Sequence, residues 1–462
     1  MNVIISSGDY WNRSSLVENS TLEVDDVQFV YYHALKSITY NGQTLNIDED
    51  KTDYDFLINE ASFDVNKLSW EKIGQGATVE PSFDKDTNIL TITVKGNDYD
   101  KNEKSVTTYK FRVAKEATDF TNDLSVELVN MGMFAPEAST IQLYKELDDS
   151  YTFQLRNFSL MGGMMPVGTI ILKNLDVNGN KITANQTIKI QKGDDPTVEE
   201  DSWMGPNLPD VPVQLAATHN GEDLTAQIDI DLSEAIGMVI KVVFAPTVEI
   251  NGSTDFAAIT PGLKNIHFTR PLKAGWNTIC LPCNATVMNV TGDADNKIQE
   301  FTGADNNGLN FSEATSFEAN VPYLVYCNNA SDNVYFGAEI VAAEPRAICH
   351  GGFCFQGNYT PSFAMANRYG VADHGADGQF IQKGGEGSTL PATGAYFTGS
   401  GKPQSVKLNL GGDVTGINGN VVNDSNASAP VYDLKGVRVS NGSLNGLPKG
   451  LYVQGGKKVY VK

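Results

Sequence analysis

The chain has 462 residues, 41% of them hydrophobic and 19% charged. That length fits about three domains of roughly 150 residues each, and that apolar content builds cores rather than an unfolded coil. Its 34 basic and 56 acidic residues leave a net charge of −22, a field that repels duplex nucleic acid and anionic membrane surfaces. The most apolar stretch, 236–244, is short and carries Lys241, so no segment reads as a membrane-spanning helix.

The opening, MNVIISSGDYW, has no basic segment, and its apolar run of Val3, Ile4 and Ile5 is too short for a signal peptide. Residues 20–32, STLEVDDVQFVYY, alternate into a β-branched and aromatic run with only 3–6 before it as a further strand. So few strands bury no face alone, so the expectation is the end of a domain whose front half and leader lie upstream of Met1.

Downstream, helical periodicity is nearly absent, and short runs of Val, Ile, Thr, Tyr and Phe alternate with turn dipeptides. Asn41-Gly42, Gly96-Asn97 and Asn178-Gly179 each follow such a run, and Asn-Gly supplies the positive φ values of a tight hairpin at low cost. The 43 glycines and 18 prolines fit this pattern. The fold class expected is all-β: a multi-domain chain of β-sandwiches plus one barrel.

Residues 35–116 form the first complete unit, with the strands LKSITYNGQTLNI, YDFLI, ILTITVKG and TTYKFRVAK. Leu90, Ile92 and Val94 alternate with Ile89, Thr91 and Thr93, as one layer of a two-sheet sandwich requires. The opening and closing strands resemble the Ig-like and cadherin-like modules of bacterial surface proteins. In residues 117–250 the hairpin YTFQLRNFSL…VGTIILKNLDV and the closing strands IDIDL…IKVVF resemble the calycin-like β-barrel domain of Bacteroidetes envelope proteins; closing a sheet removes its edges. Residues 251–412 carry GWNTICLP and PYL and resemble a β domain of Prevotella-like surface proteins. Their Gly-rich middle, 346–387, resists assignment to elements.

Residues 413–462 end the chain with YDLKGVRV, LPKGLYV and GGKKVYVK, and 431–462 carry a local excess of five positive charges on an otherwise acidic protein. These motifs resemble the C-terminal sorting domain of type IX secretion substrates. The positions that match are Tyr432, Asp433, Leu434, Gly436, Arg438, Gly450, Leu451, Tyr452, Lys457, Lys458 and Lys462. The resemblance implies a small sandwich of short strands, the type IX secretion machinery as partner, and a location outside the cell or on the outer-membrane surface. The opening residues 1–34, SSGDYWNRSSLVENSTLEVDDVQFVYY among them, resemble the end of the carbohydrate-metabolism jelly-roll domain of Bacteroidetes lipoproteins.

Chemistry-bearing constellations are sparse. Cys280-x-x-Cys283, Cys349 and Cys354 beside His350 admit three readings: buried structural thiols, a disulfide such as Cys280–Cys349, or a zinc site. No redox helix is expected after Cys283, because Pro282 and Asn284-Ala285-Thr286 surround it. The five histidines are scattered and no G-x-S-x-G elbow occurs. Asp25 and Asp26 are neighbours and point to opposite faces of a strand, so they are not a glycosidase pair. The series Asp98, Asp100, Asn102 and Asp48, Asp50, Thr52 lack the glycine and glutamate of a calcium loop and read as hairpin turns. Five carboxylates gather at Asp194, Asp195, Glu199, Glu200 and Asp201. No catalytic residue, metal or cofactor is expected.

Ligand contact falls to loop-borne aromatics. Trp203 lies in the polar, Pro-rich segment 193–212, where no core obviously claims it, and Tyr10 and Trp11 stand beside Asn12 and Arg13. Such rings stack on the C–H face of sugars; the competing role for Trp203 is to cap one end of the barrel. Trp70 and Trp276 read as strand or core residues. Met131, Met133, Met161, Met164 and Met165 are suited to line an apolar cavity in the barrel or, equally, to fill its core. The function expected is a non-catalytic, secreted or surface-anchored binding or adhesion protein with polysaccharides or host glycans as partners. The alternatives are a carrier of a small apolar ligand in the barrel and an ancillary subunit of a polysaccharide-utilisation system.

Overall fold

A computed structural model describes residues 32–74, 76–128, 132–371, 380–399, 405–410, 430–433, 438–441, 443–444, 446–454 and 457–461. Tyr10, Trp11, Asp25, Asp26 and His374 lie outside the described residues, as do Leu434, Gly436 and Lys462 of the terminal motifs. The fold is all-β: the α-helices among the described residues, Ser233–Ile236 and Val287–Thr291, are single turns. The chain divides into two compact units, one of residues up to 120 with 141–156 and 170–176, the other of the remainder.

The first unit holds β1 (Ala34–Tyr40), β2 (Gln43–Asn46), β3 (Asp53–Leu57), β4 (Leu68–Ile73), β5 (Thr78–Asp84), β6 (Ile89–Lys95) and β7 (Val106–Ala114). They make two sheets, ordered β2-β1-β4 and β3-β7-β6-β5. Leu90, Ile92 and Val94 of β6 are fully buried while their neighbours are not; they join Ile38, Tyr40, Phe56 and Phe111 in one core. Asn41 and Gly42 have φ of 47° and 83°, the two positive values of the tight turn their sequence promises. Gly96-Asn97 instead begins a longer connection to β7, in which Gly96 N–H donates to the Ser105 carbonyl at 2.8 Å. The Asp98 carbonyl accepts from Lys101 and Asn102 there, so the residues read as a tight hairpin wind into successive turns. In the same unit Arg112 pairs with Glu146, and Asn88 donates to that carboxylate at 2.8 Å, leaving the buried Glu146 compensated.

The barrel strands come next in the chain. In chain order the strands from 116 onward are β8 (Glu116–Leu128), β9 (Gly132–Met133), β10 (Glu137–Lys145), β11 (Tyr151–Leu160), β12 (Met165–Leu172), β13 (Asp176–Asn178), β14 (Lys181–Ile188), β15 (Val211–His219), β16 (Leu224–Leu232) and β17 (Met238–Phe244). The sheet runs β12-β11-β10-β8-β17-β16-β15-β14-β13, with β9 on β8. Thr169 of β12 then exchanges backbone hydrogen bonds of 2.8 and 3.0 Å with Gln191, just past β14, which closes the sheet. Closure demands a glycine: at Gly168 (φ 136°) a Cβ would lie 2.1 Å from the Gln191 carbonyl oxygen.

Strict alternation fills the inside of the barrel. Val213, Leu215 and Ala217 face Ile230, Ile228 and Ala226, which in turn face Ile240, Val242 and Phe244 across the register. Each of these is buried, most of them completely, so branched aliphatic side chains occupy the interior. The methionines do not. Met164 is 71% exposed, and Met133, Met161 and Met165 are only half-buried, while Met131 lies outside the described residues. Three of the five sit at or beside the β11–β12 turn, where Met161 takes φ 56°. Clustering in sequence therefore marked a turn rather than an interior face.

Residues 247–410 follow with two further cores. The strands Thr247–Ile250, Gly262–Phe268 and Val334–Ile340 form a three-stranded sheet. A ten-stranded sheet begins with Gly275–Ile279 and Tyr323–Cys327 and includes Tyr369–Val371, Phe380–Lys383 and Ala395–Gly399. Trp276 is buried in its aromatic core, whereas Trp70 is a partly exposed strand residue of the first unit. At the end of the chain Val431–Tyr432, Arg438–Ser440, Gly450–Gln454 and Lys457–Val461 make one four-stranded antiparallel sheet. Among the described residues this is a single layer, not the sandwich expected.

Candidate binding site

The loops after Gly262–Phe268 help build a cleft of about 480 Å³ within the second unit, lined by Arg270, Pro271, Lys273, Asn277 and Thr278. Met365, Gly370, Val371, Gln382 and Lys383 also line it, together with Ser388, Thr389, Leu390, Pro391 and Ala395. A volume of that order suits one small ligand.

Side-chain amides and hydroxyls hold these loops in place. Asn277 is buried; its Nδ2 donates to the carbonyls of Lys273 (2.7 Å) and Gly275 (3.0 Å), and its Oδ1 accepts from Lys273 N–H. This clamp fixes the turn that carries Lys273. Thr278 Oγ1 accepts from the Ala395 N–H at 3.0 Å. Thr393, buried and β-branched, sits at φ 67°, a conformation such residues rarely adopt. Its carbonyl accepts from both Arg270 Nη1 (2.7 Å) and Cys280 N–H (2.8 Å), so the strained residue is gripped from two sides.

Arg270 is the electrostatic centre. Nη1 also reaches Thr393 Oγ1 at 3.2 Å, Nη2 donates to the Thr278 carbonyl at 2.9 Å, and Nε is buried with no hydrogen-bond partner. All these acceptors are neutral, and burial depresses the guanidinium pKa to about 10. Lys273 is exposed, and Lys383 lies 5.4 Å above the Tyr369 ring. Three cations thus line the cleft, and none of its described lining residues is Asp or Glu.

The residues singled out from sequence fall elsewhere. Trp203 is 3% exposed, so the expectation that no core claims it is overturned. A Cβ on Gly193 would meet its ring carbons at 2.2 and 2.4 Å, and the next residue, Met204, donates to the Pro166 carbonyl at 3.0 Å. The Pro-rich loop folds down on β12 and buries the indole, which therefore offers no face to a sugar. Three of the carboxylates of that loop have partners within the fold: Asp194 accepts from Asn157, Asp195 caps a turn at Thr197 and Glu200 pairs with Lys192. Among the described residues no group of acidic, His and Cys side chains is arranged to hold a metal.

The cysteines resolve into a pairing that sequence reasoning missed. Cys349 and Cys354 are bonded to each other, directly opposite on the hairpin of Ala347–His350 and Phe353–Gly357; Cys280 is not their partner. It remains a buried free thiol with Cys283 and Cys327. Burial pushes the Cys280 and Cys283 thiols up to about 12, which removes thiolate reactivity. A short helix, Val287–Thr291, follows the C-x-x-C, capped by Thr286. It begins four residues past Cys283 and does not place a thiol at its N-terminus. Tyr432 and Tyr452 of the terminal motifs are described; Tyr452 is buried and its hydroxyl donates to the Pro448 carbonyl at 2.8 Å.

A signal for the cleft was present in charge patterning. No acidic residue occurs between Asp255 and Asp293, nor between Glu344 and Asp373, although the chain is strongly acidic overall. These two carboxylate-free stretches supply Arg270 to Thr278 and Met365 to Val371 of the cleft lining.

Comparison with known proteins places the barrel in a class. Residues 117–247 match the calycin-like beta-barrel domain, so this all-β chain carries a domain of that family. Among solved structures it is similar to a "putative outer membrane protein" from Bacteroides fragilis, with 11% identity over 61% of this chain and 96% of that chain at a TM-score of 0.18, a value on which no argument is built. No curated protein matches the chain. Among the described residues no helix is long and apolar enough to cross a membrane.

Proposed function

We propose that the chain is a non-catalytic binding protein of the cell exterior that takes saccharide ligands in the Arg270 cleft. The observation that carries this reading is the cleft itself: a recess of about 480 Å³ whose loops are held by Asn277, Thr278 and Arg270 and whose lining includes the exposed Lys273 and Gln382. Export is supported by the Cys349–Cys354 disulfide on a partly exposed hairpin, a bond that persists in oxidising compartments. The terminal motifs that resemble a type IX sorting domain support the same location. Carriage of an apolar ligand has no comparable support, because Ile228, Ile230, Ile240 and Val242 fill the barrel. An ancillary role in a polysaccharide-utilisation system is compatible with the cleft.

The test is an oligosaccharide array probed with the full chain, alongside cell fractionation with and without residues 414–462. Binding to at least one saccharide class, and loss of surface protein on truncation, are the expected results. A blank array overturns the ligand reading, and unchanged surface yield overturns the sorting role.

A further inference from the structure

We infer that Lys241 and Asn289 join in an amide cross-link that the chain makes within itself, with Glu127 carrying the protons. This is a single event on the chain's own side chains and is independent of the binding role proposed above.

Three side chains from two strands and a helix meet here. Lys241 of β17 and Glu127 of β8 stand directly opposite in the sheet register. Lys241 Nζ lies 3.8 Å from Glu127 Oε2, and Asn289 Nδ2, on the single-turn helix, donates to Glu127 Oε1 at 3.0 Å. One carboxylate thus holds an amine beside one oxygen and a carboxamide beside the other, the nearness that turns a bimolecular reaction into an intramolecular one. The Lys241 and Glu127 side chains are only 28% and 19% exposed, so much of the competing water is kept away.

The carboxamide is also gripped at its carbonyl. Asn289 Oδ1 accepts from Thr286 N–H at 3.1 Å and from Thr286 Oγ1 at 2.9 Å. Two donors on one carbonyl oxygen stabilise the negative charge it develops under nucleophilic attack. A capping box usually carries Glu or Gln at this position. A Glu would set a second carboxylate against Glu127, whereas Asn presents an acyl carbon with an amine to expel. Capping uses Oδ1 alone; the bond from Nδ2 to a carboxylate that already faces an ammonium completes the reactive set. Lys241 Nζ meanwhile donates to the Gly337 carbonyl at 3.1 Å, and its flexible four-carbon stem lets it leave that acceptor for the amide.

The step balances. Glu127 takes a proton from the Lys241 ammonium, and the freed Nζ attacks Asn289 Cγ. The Cγ–Nζ bond forms and the Cγ–Nδ2 bond breaks. Glu127 passes two protons in turn from Nζ to Nδ2, so an ammonium ion leaves, the carboxylate is regenerated, and no oxidant or reductant takes part.

The test is mass spectrometry of the full chain, denatured and reduced, before and after digestion with trypsin. The parent is expected to be lighter than its sequence by one ammonia and to yield a branched peptide joining the segments around Lys241 and Asn289. Succinimides at Asn-Gly pairs also lose ammonia, so the branched peptide decides. Lys241→Arg keeps the charge beside Glu127, and Glu127→Gln keeps the shape of the side chain; each is expected to abolish the branched peptide. Recovery of the two segments from the parent as separate, unmodified peptides overturns the cross-link. A branched peptide that persists in Glu127→Gln overturns the proton-carrying role of Glu127, and one that persists in Lys241→Arg overturns the assignment of the nucleophile.

Discussion

The barrel and the cleft-bearing region of residues 247–410 solve the same problem by different means. Both must satisfy backbone groups away from water. In the barrel the work falls to a long continuous ladder: the sheet closes through Thr169 and Gln191, and its inward positions are aliphatic. In the cleft region the chain is broken into short strands, and buried amides complete the bonding. Asn265 donates to the Asp123 and Ala245 carbonyls, Asn320 to Ala342, and Asn358 to Thr360 and Pro391. A closed regular sheet leaves little room for a polar recess, whereas irregular loops pinned by side chains create one.

That contrast is broken most severely at the closure itself. Gly168→Val forces a Cβ into the Gln191 carbonyl at a backbone angle that valine avoids. Strain and overpacking together are expected to cost about 4 kcal/mol, measured as a lowered urea midpoint. A midpoint within experimental error of the parent would mean that the sheet is not closed at this bridge. Trp203→Ala is next. Loss of a buried indole costs roughly 3 kcal/mol, and saccharide binding at the Arg270 cleft is expected to persist. If stability is instead unchanged while binding disappears, the ring contacts ligand after all.

On the other side of the comparison, Cys349→Ser with Cys354→Ser opens a short loop in the cleft region. Chain-entropy arguments put the loss at about 2 kcal/mol, read by calorimetry of the oxidised parent against the variant. A reducing agent should shift the parent by the same amount and leave the variant alone; a parent insensitive to reductant would contradict the disulfide.

These effects also show what was legible in the sequence. Alternation in β6 and in β15 to β17 identifies strands and their buried faces, because period two is imposed by the pleat. The Asn41-Gly42 turn is equally readable, since φ is restricted locally. Trp203 is not: its burial depends on Gly193, ten residues earlier, leaving space for the ring, and neither position signals the other. The disulfide was closer to hand. Gly351 and Gly352, at φ 57° and 81°, form a tight turn that sets Cys349 opposite Cys354, and a Gly-Gly pair flanked by equidistant cysteines carries that information. Part of the cleft lining, from Met365 to Gly384, lies in the stretch that resists assignment, and the cleft as a whole is unreadable because its shape comes from side chains bonding distant carbonyls rather than from periodicity.

The smallest effect at neutral pH concerns the three free thiols, all in the cleft region. Burial raises Cys280 and Cys283 to about 12 and Cys327 to about 11, against an ordinary thiol value of 9.0. A raised folded pKa contributes stability that is complete below the unfolded value and is lost as pH climbs through the folded one. Between pH 9 and 11 the unfolded chain therefore releases protons that the folded chain retains, and each thiol removes about 1.4 kcal/mol of stability per pH unit. Buried tyrosines such as Tyr144, also shifted upward by burial, add to the same fall, so the parent slope alone does not isolate the thiols. Cys283→Ala does. It is expected to lower stability at pH 7 by leaving a small void, yet to lose less per pH unit above 9 than the parent. Equal slopes in the two proteins would show that Cys283 reaches solvent, and the tight packing assigned to this core would then be wrong.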